Sequence, residues 1–540
     1  MQSFQLNERA STVPPVLSYD REGWQQGYRS LKQEFDYWID DIEGEIPADL
    51  QGTLFRNGPG MLDVNGHPIH HPFDGDGMIC AITFANGRAH FHNRFVRTEG
   101  YVAEQAAGRI LYRGVFGTQK PGGWLANAFD FRLKNIANTN VLYWGGKLLA
   151  LWEAAEPHRL DPTTLETLGL DHLEGVLQAG EAFAAHPRID PACYQDGGAP
   201  CLVNFSIKPG LSSTITLFEF DLNGTLRRKH AHSTPGFAFI HDFAITPNYA
   251  IFFQNPVSFN PLPYLMGKRG AAECITFQPE KTTRIVLIPR NTEGAGLGKD
   301  KGSTVKDRRP GSALTLQSLS FETHAGFVFH HANAFEDGDA IVIDSICYNS
   351  LPSVESDADF RQTDFDALDP GQLWRFRVDL KTQTVHRELL ESRCCEFPYV
   401  NPANVGRPYR YVFMGAAHAA DGNAPLQAIT KVDLKTGQRE LWSAAPSGYV
   451  SEPIFVPRFA GGAASTRDAS DHSLSSTAVE GAEDDGWLLT LVYDATHQRS
   501  DVVILDARDL TQGPIARLHL KHHVPYGLHG SFTPHCFVDR

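Results

Sequence analysis

Polar and apolar residues alternate along this chain in short runs, and turn residues close each run. Examples are residues 213–225 ("STITLFEFDLNGT"), 249–256 ("YAIFFQNP") and 339–349 ("DAIVIDSICYN"). Runs of this length that end in Asp, Asn or Gly are typical of β-strands joined by tight turns. Their frequency predicts an all-β fold.

A weak repeat accompanies these strands. An Asp-Leu dipeptide follows a strand-like run at Asp221, Asp379 and Asp433, with irregular spacing. In a chain of 540 residues this favours a β-propeller, because radial blades protect strand edges without a small closed barrel.

We interpret the chain as one domain, residues 1–540, with an N-terminal arm over residues 1–40. Two polar, Gly-rich or Ser-rich insertions interrupt the pattern, at residues 293–313 and 460–486. Neither can bury enough apolar surface to offset its ordering entropy, so both are predicted to be mobile loops.

One stretch predicts a helix instead. Within residues 114–135, Trp124, Leu125, Ala128 and Phe129 have the spacing of one helical face. Such a face either packs on the propeller or enters the surface of a lipid bilayer.

Composition narrows the function classes. The chain has 48 Lys+Arg against 63 Asp+Glu, and its formal net charge of −15 disfavours a nucleic-acid partner. Its 34 Phe, 16 Tyr and 8 Trp suit either a large core or a long apolar tunnel. Eight scattered cysteines, no signal-like start and no spanning apolar run predict a cytoplasmic protein with at most peripheral membrane contact. No obligate protein partner is evident.

Four histidines stand where apolar runs meet turns: His186, His241, His330 and His529. Three glutamates have similarly apolar neighbours: Glu153, Glu396 and Glu452. Spacing alone defines no metal site, and each residue by itself could be structural. Taken together, they are consistent with imidazole ligands whose second N–H groups donate to buried carboxylates.

A series of motifs then runs in order along nearly the whole chain. It includes "EIPADLQGTLFRNGPG", "HPFDGDGM", "AHPRIDP", "GFVFHHANAFE", "SRCCEFP", "SEPIFVPR" and "YGLHGS". By these motifs the sequence resembles the carotenoid cleavage oxygenases, and among them the bacterial, retinal-forming members that act on apocarotenoids. The two insertions fall between motifs.

The resemblance implies a seven-bladed β-propeller whose long loops and short helices form a dome over an axial Fe(II). Motif by motif, the four histidines match the family's iron ligands, and the three glutamates match the carboxylates that support them. Of the two adjacent histidines in "GFVFHHANAFE", the first is the ligand. His331 is therefore expected to face away from the metal.

The family's activity implies cleavage of the central 15,15′ double bond of an apocarotenal or apocarotenol. O2 is the co-substrate, the products are retinal or a related aldehyde and a shorter carbonyl fragment, and no catalytic acid or base is needed. By resemblance the tunnel lining includes Phe73, Phe116 and Trp152, to which we add Phe239, Phe329 and Tyr348. The predicted membrane-contact patch consists of Val115, Trp124, Leu125 and Phe129.

Two alternatives remain. The same scaffold cleaves stilbene-like phenolics in some relatives, but that reaction needs a Tyr–Lys pair for the 4-hydroxyl, and these surroundings look aromatic and apolar. A metal-free propeller acting as a binding module is the other alternative, and the four intact histidines argue against it.

Overall fold

The computed structural model of the protein describes residues 19–193, 198–290, 318–351, 359–458 and 481–538. The predicted insertion 293–313 lies outside the described residues, as does most of 460–486. The described end of the second insertion is bound to its surroundings: Asp484 accepts a hydrogen bond from Lys431 at 2.8 Å. Glu483 accepts hydrogen bonds from the backbone N–H groups of Arg410 and Tyr411. Residues 481–486 therefore belong to the folded structure.

Seven antiparallel sheets form a seven-bladed β-propeller, which confirms the predicted fold. From the outer edge to the axis, blade 1 contains Asp36–Trp38, Arg88–Phe95, Asp76–Ala85, Gly52–Met61 and Gly530–Thr533. Blade 2 contains Thr167–Leu170, His158–Leu160, Lys147–Leu151 and Asn140–Trp144. Blade 3 contains Leu226–Pro235, Ser212–Phe220, Cys201–Lys208 and Arg188–Asp190. Blade 4 contains Leu319–Thr323, Thr283–Pro289, Tyr249–Gln254 and Ala244–Ile245.

The remaining blades follow in chain order. Blade 5 contains Thr384–Glu391, Gln372–Asp379, Ala340–Tyr348 and Phe327–Asp337. Blade 6 contains Arg439–Ser443, Leu426–Asp433, Tyr411–Ala417 and Cys395–Tyr399. Blade 7 contains Ile42–Gly44, Pro514–His519, Arg499–Asp506 and Gly486–Asp494, with Gly448–Val450 and Ile454–Pro457 both paired to the last of these. Innermost strands of neighbouring blades contact one another around the axis.

Helices and two-stranded ribbons lie in the long connections. The helices are Arg21–Gln26, Glu99–Ala107, Gly123–Asn127 and Pro261–Leu265. The ribbons pair Asp63–Val64 with His67–Pro68 and Val257–Phe259 with Ile275–Phe277. The residues just after Gly123–Asn127 bind the end of Pro261–Leu265, because the Phe129 N–H donates to the carbonyl of Leu265 at 2.9 Å.

The Asp-Leu repeat has a structural basis. Asp221, Asp379 and Asp433 each follow the third strand from the axis, in blades 3, 5 and 6. In each turn the aspartate Oδ1 accepts backbone N–H groups two to four residues further along. An aspartate in this position stabilises the reversal of the chain, which is why the same dipeptide recurs at equivalent places.

The two ends of the described chain close the ring. Ile42–Gly44 is the outer strand of blade 7, and Gly530–Thr533 is the inner strand of blade 1. The described part of the predicted N-terminal arm, residues 19–40, is part of the fold as well. It contains the helix Arg21–Gln26, and Asp36–Trp38 pairs with blade 1.

The helix predicted from Trp124, Leu125, Ala128 and Phe129 is shorter than expected. It spans Gly123–Asn127, so the last two of these residues lie beyond its end. Asn127 ends it by donating its side-chain amide to the carbonyls of Lys120 and Gly123, and Phe129 has φ = 57°. Helical spacing in the sequence did not reveal this local competition from an asparagine side chain.

A buried ionic cluster joins blades 3 and 4. Arg290 donates to Asp190 and to Glu219, both at 2.7 Å, and none of the three side chains is more than 3% exposed. The two carboxylates share this guanidinium, so removing it leaves Asp190 paired with Arg407 and Glu219 paired with Arg228, each with one cation fewer in a buried environment.

We expect Arg290→Ala to lower the free energy of unfolding by about 3–5 kcal/mol, because it removes one member of a buried charge network. Chemical denaturation of the purified variant measures this. Arg377→Ala is the matched control, since its ion pair with Asp337 is about half exposed on both sides and should contribute at most about 1 kcal/mol. Equal losses in the two variants would contradict the role given to Arg290.

Candidate metal centre

Four histidines meet at the axis because they stand at, or just before, innermost strands. His186 precedes Arg188–Asp190, His241 precedes Ala244–Ile245, and His529 precedes Gly530–Thr533. His330 lies within the innermost strand of blade 5. One nitrogen from each ring can be chosen so that all four lie within 4.8 Å of one another.

The four rings face one another at tilted angles. The Nε2 atoms of His186 and His529 are 3.0 Å apart. Ring centroids are 4.2 Å apart for His186 and His241, and 5.2 Å apart for His241 and His330. The interplanar angles are 58° and 63°, so these rings are not stacked.

Each of three histidines is oriented by one glutamate. His241 Nδ1 lies 3.1 Å from Glu153 Oε1. The corresponding Nδ1-to-carboxylate distances are 2.5 Å for His330 with Glu396 and 2.9 Å for His529 with Glu452. An ionised carboxylate only accepts hydrogen bonds, so the Nδ1 atoms carry the protons and the Nε2 lone pairs remain for another group.

These lone pairs fit a metal cation. His330 Nε2 is buried and has no hydrogen-bond partner in the described part of the chain. Two Nε2 atoms 3.0 Å apart cannot both present lone pairs to each other without a shared proton or cation. A set of neutral imidazoles whose distal nitrogens are held by carboxylates is the usual protein environment of a transition metal.

The fourth histidine, His186, has no carboxylate partner, and its Nδ1 makes no hydrogen bond to the described residues. Burial and the neighbouring histidines lower the pKa of His186 well below its usual value, so this ring is neutral. Burial also acts to lower the pKa of His330, but Glu396 outweighs it and the pKa is raised. A proton or a metal cation at His330 Nε2 therefore balances the charge of Glu396.

Arginines hold this inner layer in place. Arg56 in blade 1 donates to Glu452 Oε2 at 2.7 Å, and both side chains are buried. Arg188 donates to Asp242 at 2.5 Å and to the carbonyl of His331 at 2.9 Å. These contacts tie blade 1 to blade 7, and blade 3 to blades 4 and 5, behind the histidines.

His331 points away from the centre, as expected. Its Nδ1 is 2.8 Å from the hydroxyl of Ser345, and its ring packs against Phe253. Neighbouring residues of a strand face opposite sides, so only His330 of the pair reaches the axis.

Sequence reasoning missed Phe397. Its ring lies 5.7 Å from that of His330 and 5.3 Å from that of His529. Its φ is 53°, which is uncommon for an aromatic residue, and its N–H donates to Glu396 Oε2 at 2.6 Å. Its position directly after Glu396 in "CCEFPYV" was the available signal.

Three predicted tunnel residues lie on the blade 4 and 5 side. Phe329 is 5.7 Å from the His241 ring and 5.8 Å from that of Tyr348. The Tyr348 hydroxyl donates to Glu396 at 2.9 Å, and burial and Glu396 raise the pKa of this tyrosine, which keeps the proton in place. Phe239 contacts this group through Phe327.

The other three predicted tunnel residues lie in or beside the connections between strands, and Phe73 is 38% exposed. Phe73 and Phe116 pack edge to face at 5.2 Å, and His71 lies within 5.1 Å of both rings. Trp152 is buried beside Glu153 and lines a small cavity together with Val115. Phe239, Phe329 and Tyr348 thus belong to one aromatic group, Phe73 and Phe116 form another, and Trp152 lies apart from both at the cavity.

Three of the four predicted membrane-contact residues are exposed. Trp124 is 51% exposed, and Leu125 and Phe129 are each 72% exposed. Val115 is only partly exposed and faces the cavity. Leu262, on the neighbouring short helix, adds to this exposed apolar surface. No helix in the described segments is long and apolar enough to cross a membrane.

Comparison with known proteins places this geometry in a family. Residues 28–534 match the family model described as retinal pigment epithelial membrane protein. The chain belongs to this carotenoid oxygenase family. It is 57% identical to the apocarotenoid-15,15′-oxygenase of Synechocystis over 524 residues, which cover 97% of this chain and 98% of that one.

Structural comparison agrees. The crystal structure of the cobalt-substituted Synechocystis enzyme matches with a TM-score of 0.86 at 56% identity, covering 96% of this chain and 99% of that chain. A lignostilbene-α,β-dioxygenase of Sphingomonas paucimobilis is 29% identical over 532 residues, which cover 95% of this carotenoid oxygenase and 97% of that relative. The chain is thus a homologue of a carotenoid cleavage dioxygenase, and the phenolic relatives are more distant.

We expect Glu153→Gln to weaken metal binding by about 10–100-fold, because a neutral amide replaces the charged carboxylate that accepts the hydrogen bond from the His241 N–H. Competition with a graded series of chelators, followed by metal analysis of the protein, measures this affinity. Glu156→Gln is the control, since Glu156 lies three residues along the same loop and bonds to Gly180. Unchanged affinity in Glu153→Gln would refute the supporting role of this carboxylate.

Proposed function

We propose that this protein is an Fe(II)-dependent oxygenase that cleaves the 15,15′ double bond of apocarotenoids with O2. The products are retinal or a related aldehyde and a shorter carbonyl fragment. The observation that carries the proposal is the four-imidazole centre, found in a chain that is 57% identical to an apocarotenoid-15,15′-oxygenase.

His186, His241, His330 and His529 would hold the iron through their inward nitrogens. When bound there, Fe(II) supplies the activation of O2. The imidazoles are neutral ligands, so the metal keeps its full positive charge. A carboxylate ligand would neutralise part of that charge. The glutamates balance this charge from outside and keep the Nδ1 protons on the far side of the rings.

The aromatic side chains would position the substrate. A polyene has no charged group to bind, so contact area and ring stacking must align one double bond with the metal. Phe329 and Phe397 lie against the histidine rings themselves. Phe73, Phe116 and Trp152 would line the approach to the metal.

The phenolic alternative has weaker support. The lignostilbene-cleaving relative is 29% identical, against 57% for the apocarotenoid enzyme. Lys134 lines the cavity beside Trp152, but its ammonium donates to Asp76 and Glu104 at 2.7 and 2.6 Å. A lysine held by two carboxylates is poorly placed to receive a phenol.

We also propose that the exposed patch of Trp124, Leu125 and Phe129 contacts a membrane surface. Contiguous exposed apolar residues favour an apolar partner, and a carotenoid substrate resides in bilayers. Arg132 is exposed close by in the chain, but its guanidinium is paired with Asp130 at 2.9 Å, so the proposal rests on the apolar side chains. The cytoplasmic location remains a prediction.

The direct test is product analysis. We expect the Fe(II)-loaded protein, in air with a β-apocarotenal, to release retinal, identified by chromatography and mass spectrometry. The metal-free protein is the control and should give no product. Cleavage of a stilbene with no turnover of the apocarotenal would show that the substrate is a phenolic stilbene. Cleavage of a carotenoid at another double bond would refute the 15,15′ position.

For the patch, we expect Leu125→Glu to reduce partition of the protein onto liposomes several-fold, because a charge replaces an apolar contact with the bilayer. Sedimentation with phosphatidylcholine–phosphatidylglycerol vesicles measures this. Leu168→Glu, at a leucine 58% exposed on the outer strand of blade 2, is the control and should bind like the parent. Equal partition of both variants would exclude the patch as the contact.

A further inference from the structure

Two cysteines meet in the buried ionic cluster between blades 3 and 4. The sulfur atoms of Cys193 and Cys201 and a carboxylate oxygen of Asp190 all lie within 4.8 Å of one another. The two residues are 3% and 1% exposed. They flank the connection from the innermost strand of blade 3, Arg188–Asp190, to its neighbour Cys201–Lys208.

A guanidinium lies against both sulfur atoms. Arg290 Nη2 is 3.6 Å from Cys201 Sγ and 3.9 Å from Cys193 Sγ. A nearby positive charge favours the thiolate form, which is the nucleophile in thiol oxidation. The hydrogen bond with Cys193 and burial raise the pKa of Cys201, while Arg290 acts to lower it.

The same surroundings disfavour a metal ion. Both carboxylate oxygens of Asp190 already accept from arginines, Oδ2 from Arg290 at 2.7 Å and Oδ1 from Arg407 at 2.8 Å. A divalent cation at the sulfur atoms would face two guanidinium groups in a buried environment, where like charges repel strongly. A bond between the two sulfur atoms adds no charge and meets no such repulsion.

We propose that Cys193 and Cys201 form an oxidant-sensitive pair that hydrogen peroxide converts to a disulfide. One sulfur of the pair, as its thiolate, attacks one peroxide oxygen and the O–O bond breaks. The departing hydroxide takes up the proton that the thiol released, which leaves a sulfenic acid and one water. The other sulfur then attacks the sulfenic sulfur, the S–S bond forms, the S–O bond breaks, and its thiol proton leaves with the hydroxide as a second water. The two thiols thus lose two electrons and two protons to the peroxide.

The consequence is a cross-link within blade 3. Arg188–Asp190 begins two residues after His186, so the disulfide would join this strand to its neighbour at the end away from that histidine. Cross-linking restricts the unfolded chain, and blade 3 should resist unfolding more strongly in the oxidised protein. In the reducing environment of a cytoplasm such a bond would form only transiently.

Peptide mapping of the full-length, metal-loaded protein tests this. The protein is treated with peroxide at a dose that consumes the exposed Cys536, and the remaining thiols are then alkylated under denaturing conditions. We expect a linked Cys193–Cys201 peptide that is lighter by two hydrogen atoms than the reduced pair. We also expect a higher melting temperature that reverses on adding dithiothreitol.

Cys193→Ser and Cys201→Ser should lose both effects, and Cys80→Ser, which changes a buried cysteine in blade 1, should keep them. If a serine variant fails to fold, the peptide map of the parent protein still decides. Alkylation of both cysteines after Cys536 has been oxidised would overturn the proposal. So would a stable sulfinic acid on one of them, or a zinc ion bound in the parent and lost from both serine variants.

Discussion

Four histidine rings, two buried and two partly buried, point their nitrogens at a common position, and only a cation or shared protons can satisfy them. Burial penalises charge on the rings, and three carboxylates hold the distal N–H groups so that the rings cannot turn away. The propeller supplies this arrangement because each histidine stands on or beside the innermost strand of a different blade.

Ion pairs between blades protect that arrangement. Arg56 fixes the carboxylate that orients His529, and Arg188 joins Asp242 to the backbone of His331. Burying one of these charges without its partner would cost free energy, whereas the paired charges compensate each other. The pairs therefore stabilise the relative positions of blades that are far apart in sequence. Phe397, held at a positive φ by its bond to Glu396, completes the wall beside two of the histidines.

The sequence predicted the strands well, because alternation and aspartate turns are local signals. Asp221, Asp379 and Asp433 mark equivalent turns, yet their irregular spacing did not yield the number of blades. The four histidines were identified from their neighbouring residues and from family resemblance. Their spacing gave no signal, because His186 and His529 are 343 residues apart in the sequence. Arg56, Arg188 and Phe397 were missed because their roles exist only between blades. The helix near Trp124 was predicted too long because an asparagine side chain ends it.

The central claim is that four imidazoles are the protein's only ligands to iron. Anomalous diffraction at the iron edge, from crystals of the Fe(II)-loaded protein grown without oxygen, tests it most directly. We expect one strong peak bounded by the inward nitrogens of His186, His241, His330 and His529, with Glu153, Glu396 and Glu452 outside bonding distance. A peak elsewhere, or a glutamate oxygen bonded directly to iron, would contradict it.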